Sequence, residues 1–298
     1  KKLLLILLCL PMIGFGQTYV PDDNFEAYLE ANGMGNGIAS DDSVTTANIN
    51  TVTYLEVDNM SIADLTGIED FIALTTLYCY ENQLTSLDVS QNTNLTELSC
   101  VDNQLTSIDV SQNTALTFFN CGSNQLTSID ISTNTALIEL FCHSNQLTSI
   151  DVSQNTALTY LICSYNQLTS LEVIYNTALT DLQCGNNQLV TLNVQNGNNI
   201  NWFWHFDYYF VCINNSSLTC ITVDDDVWST ANLTVASGNI DPQHYFSNNC
   251  TPSAIQEHTT IKELLKVTDI LGRETKQTNQ PLFYIYDDGT VEKRIVIE

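Results

Sequence analysis

Two columns hold the residues of this chain best suited to chemistry. Cys79, Cys100, Cys121, Cys142, Cys163 and Cys184 recur every 21 positions, and Asp88, Asp109, Asp130, Asp151 and Glu172 recur at the same interval. A thiolate can act as nucleophile or metal ligand, and clustered carboxylates can hold a cation. A 21-residue interval matches neither CxxC nor HExxH, and His143, His205, His244 and His258 are scattered. No GxSxG elbow or phosphate-cradling glycine loop occurs. The chain is therefore expected not to be an enzyme and to need no cofactor.

The thiols raise the disulfide question first. Equivalent positions on adjacent parallel strands lie about 4.8 Å apart, within reach of a bond, but in-register side chains have poor dihedral geometry for one. The column from Cys79 to Cys184 is expected to be reduced and buried. Cys220 and Cys250 fall outside it, flank the terminal cap and are the expected disulfide.

The acidic column faces outward, and like charges about 4 Å apart repel by ~1 kcal/mol in water. One resolution is hydrogen bonding from nearby groups such as Ser86, Ser107 and Ser128, with counter-ions screening the rest. The other is a ladder of weak calcium sites at Asp88, Asp109, Asp130 and Asp151. The stretch NGMGNGIASDD, from Asn32 to Asp42, also has a faint calcium-loop character, but Met34 stands where a ligand oxygen belongs.

Elements that place these columns follow from the frame LxxLxCxxNQLxxLxVxxNxx, whose coils begin at Leu74, Leu95, Leu116, Leu137, Leu158 and Leu179. Such a period means a solenoid, in which each coil buries its apolar side chains only when a neighbour stacks on it. Each coil has two similar halves. Around Leu98 and Cys100 a short strand points both side chains inward and Ser99 outward. The second half is expected to repeat this with Ile108 and Val110 inside and Asp109 outside, giving short parallel strands on two sides of a thin core. Asn82, Asn103, Asn124, Asn145, Asn166 and Asn187 recur where the chain turns, and their amides are expected to satisfy buried backbone groups.

The LxxLxC half nested with an LxxLDV half resembles the 21-residue nested class of bacterial leucine-rich repeats over residues 74–199. The preceding coil, from Val52 to Ile68, resembles the first repeat of internalin-like proteins. That resemblance implies a curved parallel-strand solenoid used for recognition.

The ends of such an array need lids. Residues 1–16, with Lys1, Lys2 and the apolar run Leu3 to Leu8, read as a secretory signal peptide removed before Gln17. Residues 17–51 form an N-terminal helical cap. Its helix starts at Pro21 to Asp23, turns Phe25, Tyr28 and Leu29 inward, and ends at Asn32 and Gly33. Seven coils occupy residues 52–199. An aromatic insertion and a C-terminal cap fill residues 200–250, with Trp202, Trp204 and Tyr209 either plugging the core or forming an exposed patch. A polar linker spans residues 251–260. Residues 261–298 resemble the C-terminal sorting domain of the Bacteroidetes type IX secretion system. Asp269, Gly272, Arg273, Tyr284, Asp288, Gly289 and Lys293 stand in its spacing, which implies transfer across the outer membrane.

Between Leu3 and Ile261 there is no lysine or arginine, while that span holds 27 of the 34 acidic residues. Nucleic acid and anionic lipid are disfavoured as partners. No apolar run is long enough to span a membrane. The variable positions sit around LxC: Tyr78, Tyr80, Glu97, Phe118, Glu139, Phe141, His143, Tyr160 and Tyr165. Outward aromatics on a strand surface favour use as anchors. The expectation is a monomeric binding protein, extracellular or on the outer-membrane surface, that recognises a protein or glycan through this face. The alternatives are a non-binding spacer or matrix element and, more weakly, a calcium-dependent adhesin or an ice- or mineral-surface binder.

Overall fold

The computed structural model describes residues 16–198, 210–250, 264–268, 281–286 and 291–295. Residues 1–15 of the expected signal peptide (residues 1–16), the aromatics Trp202 to Tyr209 and the linker lie outside the described residues. Two compact units divide between Cys250 and Thr251.

The larger unit is a solenoid of parallel strands. Its front sheet has eight strands: Tyr54–Glu56, Thr76–Tyr78, Glu97–Ser99, Phe118–Asn120, Glu139–Phe141, Tyr160–Ile162, Asp181–Gln183 and Phe210–Val211. Every strand pairs in register with the next, so Leu77, Leu98, Phe119, Leu140, Leu161 and Leu182 form one inward column. All six are buried, as are the cysteines from Cys79 to Cys184 two residues on. Each fully buried leucine contributes roughly 1.5–3 kcal/mol, so the 21-residue spacing of apolar side chains is what fixes the stacking.

The frame extends past residue 199. Phe210 pairs with Leu182, and Cys212 takes the next place in the buried thiol column. From sequence, the 28-residue step from Cys184 to Cys212 keeps the coil's phase after an insertion of seven, and one further front strand follows the seven coils. The insertion leaves the phase intact because the apolar pattern resumes at Phe210, Cys212 and Leu218, all buried.

A back sheet of four parallel strands is confined to the C-terminal coils: Ser170–Glu172, Thr191–Asn193, Cys220–Thr222 and Tyr245–Ser247. In the earlier coils that side carries a single isolated bridge, Asp88 to Asp109. Ile108, Ile129 and Ile150 are correspondingly only partly buried, against the expectation of full enclosure. In those coils each aspartate accepts the backbone N–H of the serine two residues on.

Each coil reverses direction at a non-glycine residue in the left-handed region: Glu81, Asp102, Ser123, Ser144, Tyr165, Asn186 and Asn214 have φ between 49° and 59°. The following asparagine stabilises the turn. Asn103 Oδ1 accepts the Leu84 N–H at 3.0 Å, while its Nδ2 donates to the Cys79 and Cys100 carbonyls at 2.9 and 3.1 Å. The same bonds recur at Asn124, Asn145, Asn166 and Asn187.

The N-terminal lid is the helix Asp23–Ala31, with Asp22 as N-cap accepting from the Asn24 and Phe25 N–H groups. It ends with Met34 N–H donating to Leu29 O and Gly33 N–H to Glu30 O, a paired C-terminal closure that uses the left-handed Gly33. Phe25 and Leu29 are fully buried. At the other end Cys220 and Cys250 are disulfide-bonded, with Cα atoms 5.8 Å apart.

The smaller unit, from Thr251, is a three-stranded antiparallel sheet of Leu264–Thr268, Pro281–Tyr286 and Val291–Ile295. Lys293 stands opposite Phe283, and Tyr284 opposite Glu292.

Candidate recognition face

Side chains flanking the inward leucines of the front sheet point to solvent in two parallel columns. Thr76, Glu97, Phe118, Glu139 and Tyr160 form one, in direct strand register. Tyr78, Ser99, Asn120, Phe141 and Ile162 form the other. The Phe118 and Phe141 rings meet diagonally, with centroids 5.6 Å apart and planes tilted by 50°. Tyr160 sits on the next strand and is 38% exposed. Ser99, by contrast, is covered by its neighbours.

His143 follows its coil's cysteine, and its ring lies against Gly122 on the preceding coil, where any Cβ would collide with it. Burial lowers its pKa, with the charge of Asp102 opposing. Its Nδ1 is buried and makes no hydrogen bond. Beyond it a trough of about 400 Å³ runs along His143, Ile162, Ser164, Tyr165 and Gly185. Tyr165, held out by its left-handed backbone, is 61% exposed on the rim.

At the first coils the face changes character. Tyr54 donates its hydroxyl to Glu56 and Tyr78 to Glu97, and nearby Asp58 raises the Tyr80 pKa. The bonds to Glu56 and Glu97, backed by desolvation, push the Tyr54 and Tyr78 hydroxyls up to about 12.

Thiols and acids take structural places. Cys79, Cys100, Cys121, Cys142, Cys163, Cys184 and Cys212 are free and buried, and burial drives their pKa values far up, to about 12 at Cys100 and Cys163. A buried neutral thiol is inert as nucleophile or metal ligand. The carboxylates of Asp88, Asp109, Asp130 and Asp151 accept the N–H of Ser90, Ser111, Ser132 and Ser153 at 2.8–3.0 Å. Those partners replace the expected Ser86, Ser107 and Ser128, because an aspartate side chain reaches forward to the residue two positions on. The backbone and hydroxyl bonds of these serines lower all four pKa values, against desolvation and, at Asp88, Asp109 and Asp151, repulsion from a neighbouring aspartate.

Among the described residues, the carboxylates that converge as a group of three are Asp23, Glu26 and Asp42. In the loop after the first helix, Glu30 accepts the Asn36 and Gly37 N–H groups and Asp41 accepts from Asn36 and Ser43. Within the calcium-loop stretch, protein donors thus occupy Asp41, while Asp42 converges with Asp23 and Glu26.

Sequence reasoning missed a second buried asparagine column. Asn92, Asn113, Asn134, Asn155 and Asn176 are fully buried, and each donates Nδ2 to two carbonyls of the preceding coil. Their Oδ1 atoms accept nothing. The 21-residue recurrence of this asparagine was its available signal.

A family model described as leucine-rich repeats (2 copies) matches residues 93–134, two coils of this geometry. The coils are leucine-rich repeats. Over 75 residues these repeats are 45% identical to internalin J of Listeria monocytogenes serotype 4b (strain F2365), a stretch that is 25% of this chain and 8% of that protein. The solved functional domain of Listeria monocytogenes internalin J, which includes a cysteine ladder, is 33% identical with a TM-score of 0.51. The match covers 70% of this chain and 52% of that domain, so this chain spans about half of its length. Internalin C2 of Listeria monocytogenes strain 4b F2365 matches at 20% identity with a TM-score of 0.52, over 69% of this chain and 97% of that one, a likeness of fold alone. The leucine-rich repeats here thus have internalin relatives, and their stacked cysteines have a counterpart in internalin J.

Proposed function

We propose that the front face of the leucine-rich repeats is a recognition surface for an extracellular protein or glycan, and that the chain acts by binding without catalysing a reaction. One observation carries this: Phe118 and Phe141 touch on the solvent side of the sheet, with the exposed Tyr160 on the next strand. None of the three is needed to fill the core, which the inward leucines and cysteines occupy. Apolar area left on a strand surface costs free energy unless a partner covers it. A spacer would serve as well with serine at these positions.

Export belongs to the same proposal. The apolar leader and the sorting-like tail would carry the protein to the outer-membrane surface or beyond. No helix among the described residues is long and apolar enough to cross a membrane.

The test is a glycan array and a panel of purified extracellular proteins, probed with the wild-type protein and with the Phe118→Ser/Phe141→Ser/Tyr160→Ser variant. Saturable binding that the variant loses, at an unchanged melting temperature, is expected. Unchanged affinity in the variant would overturn the assignment of this face.

A further inference from the structure

The first three front strands carry a cluster unlike the rest of the face: Tyr54, Glu56, Asp58, Tyr78, Tyr80 and Glu97. Register explains the assembly. Glu56 stands beside Tyr78 across one strand pair, and Thr76 beside Glu97 across the next, so the tyrosines and acids alternate diagonally. The Tyr54 and Tyr78 rings meet edge to face, with centroids 5.9 Å apart, and Tyr54 is 52% exposed. The Tyr54 and Tyr78 hydroxyls are turned onto the Glu56 and Glu97 carboxylates, and Asp58 lies near Tyr80. The rings are thereby fixed beside three negative charges.

Nothing in the solenoid answers those charges, since residues 3–261 contain no lysine or arginine. Aromatic faces are electronegative and attract cations within about 6 Å, by ~0.5–1 kcal/mol per ring at exposed sites. Carboxylates on neighbouring strands repel one another until a cation joins them. An anionic glycan would be repelled here, and a neutral one would gain hydrogen bonds to the carboxylates but no ion pair that neutralises them. The cluster therefore selects for positive charge held on a chain that can lie along the sheet.

We propose that this corner of the front face binds a lysine or arginine side chain of a partner polypeptide, with the Tyr54 and Tyr78 rings against the cation and Glu56, Asp58 and Glu97 pairing with it. The inference rests on the front face being the recognition surface, and it narrows the partner to a protein with a basic segment.

The experiment titrates the full-length protein with acetyl-Gly-Arg-Gly-Arg-Gly-amide, followed by nuclear magnetic resonance of the arginine side-chain methylene protons. A parallel titration uses the same peptide with citrulline, which keeps the shape and removes the charge. A saturable upfield shift is expected with arginine. Roughly fivefold or more weaker binding is expected with citrulline, and also in Tyr54→Ser/Tyr78→Ser, as two lost ring contacts imply. Glu56→Gln/Glu97→Gln, which leaves both rings in place, should weaken the arginine titration and flatten its salt dependence. Equal curves for the two peptides, or an arginine curve unchanged in both variants, would overturn the proposal. The Phe118→Ser/Phe141→Ser/Tyr160→Ser variant should keep the peptide shift, so failure of the wider face and failure of this corner are read separately.

Discussion

Asn124 reaches back one coil to Cys100, donating its side-chain Nδ2 to that carbonyl at 3.0 Å. The same amide donates to Cys121 and Gly122, and its Oδ1 accepts the Leu105 N–H at 2.9 Å. Asn124→Ala is expected to orphan several buried backbone groups, at roughly 1–3 kcal/mol each. Asn134→Ala should cost less, because that side chain makes two bonds and leaves its own Oδ1 without a partner. Urea denaturation of the two variants checks the order. Equal losses would deny the first column its special role.

The thiol column should be silent in the folded state. An aromatic disulfide reagent at mildly alkaline pH is expected to label none of Cys79 to Cys212 before unfolding, because burial keeps each protonated. Non-reducing mass spectrometry should find Cys220 joined to Cys250. Reduction of that bond should lower stability by about 2–4 kcal/mol, as expected for a loop of 30 residues. Rapid labelling of the folded protein would contradict the packing.

Acid should weaken the solenoid through the aspartate ladder. Asp88, Asp109, Asp130 and Asp151 have folded pKa values lowered from 3.8. Their contribution is therefore fully present above the unfolded value and is lost as pH falls below 3.8 through the lowered folded values. The melting temperature should drop over that window, and less so in Asp109→Asn/Asp130→Asn. With the carboxylates already engaged by their serines, calcium and sodium chloride at matched ionic strength should give the same melting curve. A larger shift in calcium, abolished in the variant, would place cations on the ladder.

Gly122→Ala should displace the His143 ring, since its new Cβ would occupy the ring's place. The expected result is a shifted His143 resonance and a pKa moved back toward 6.5 as the ring becomes hydrated. An unmoved His143 titration would refute the contact.

Much of this was legible in the spacing of leucine and cysteine, because inward and outward positions alternate in any strand and a 21-residue interval leaves one way to stack them. The helix stop at Gly33 and the place of Cys212 were equally plain. Where the sequence misled, side-chain reach was the reason. Asp109 bonds forward to Ser111 rather than back to Ser107. The tyrosine–carboxylate corner was hidden for a different reason, since Tyr54 and Glu97 both meet Tyr78 only through the register of three strands. Tyr78 and Glu97 were visible as variable positions, but their pairing is a property of the stacked sheet.

In the regular coils between Leu74 and Leu179, the backbone bonds that join one coil to the next close loops of nearly the same length: the Cys100 N–H meets Asn120 O, and the Gln104 N–H meets Leu84 O, each 20 residues away. Adding or deleting a whole 21-residue unit would thus change no remaining loop and require no longer-range closure. Length is then a free variable of this architecture: a coil copied in tandem arrives with its partners already specified, and a longer recognition face can be grown without redesigning the interior.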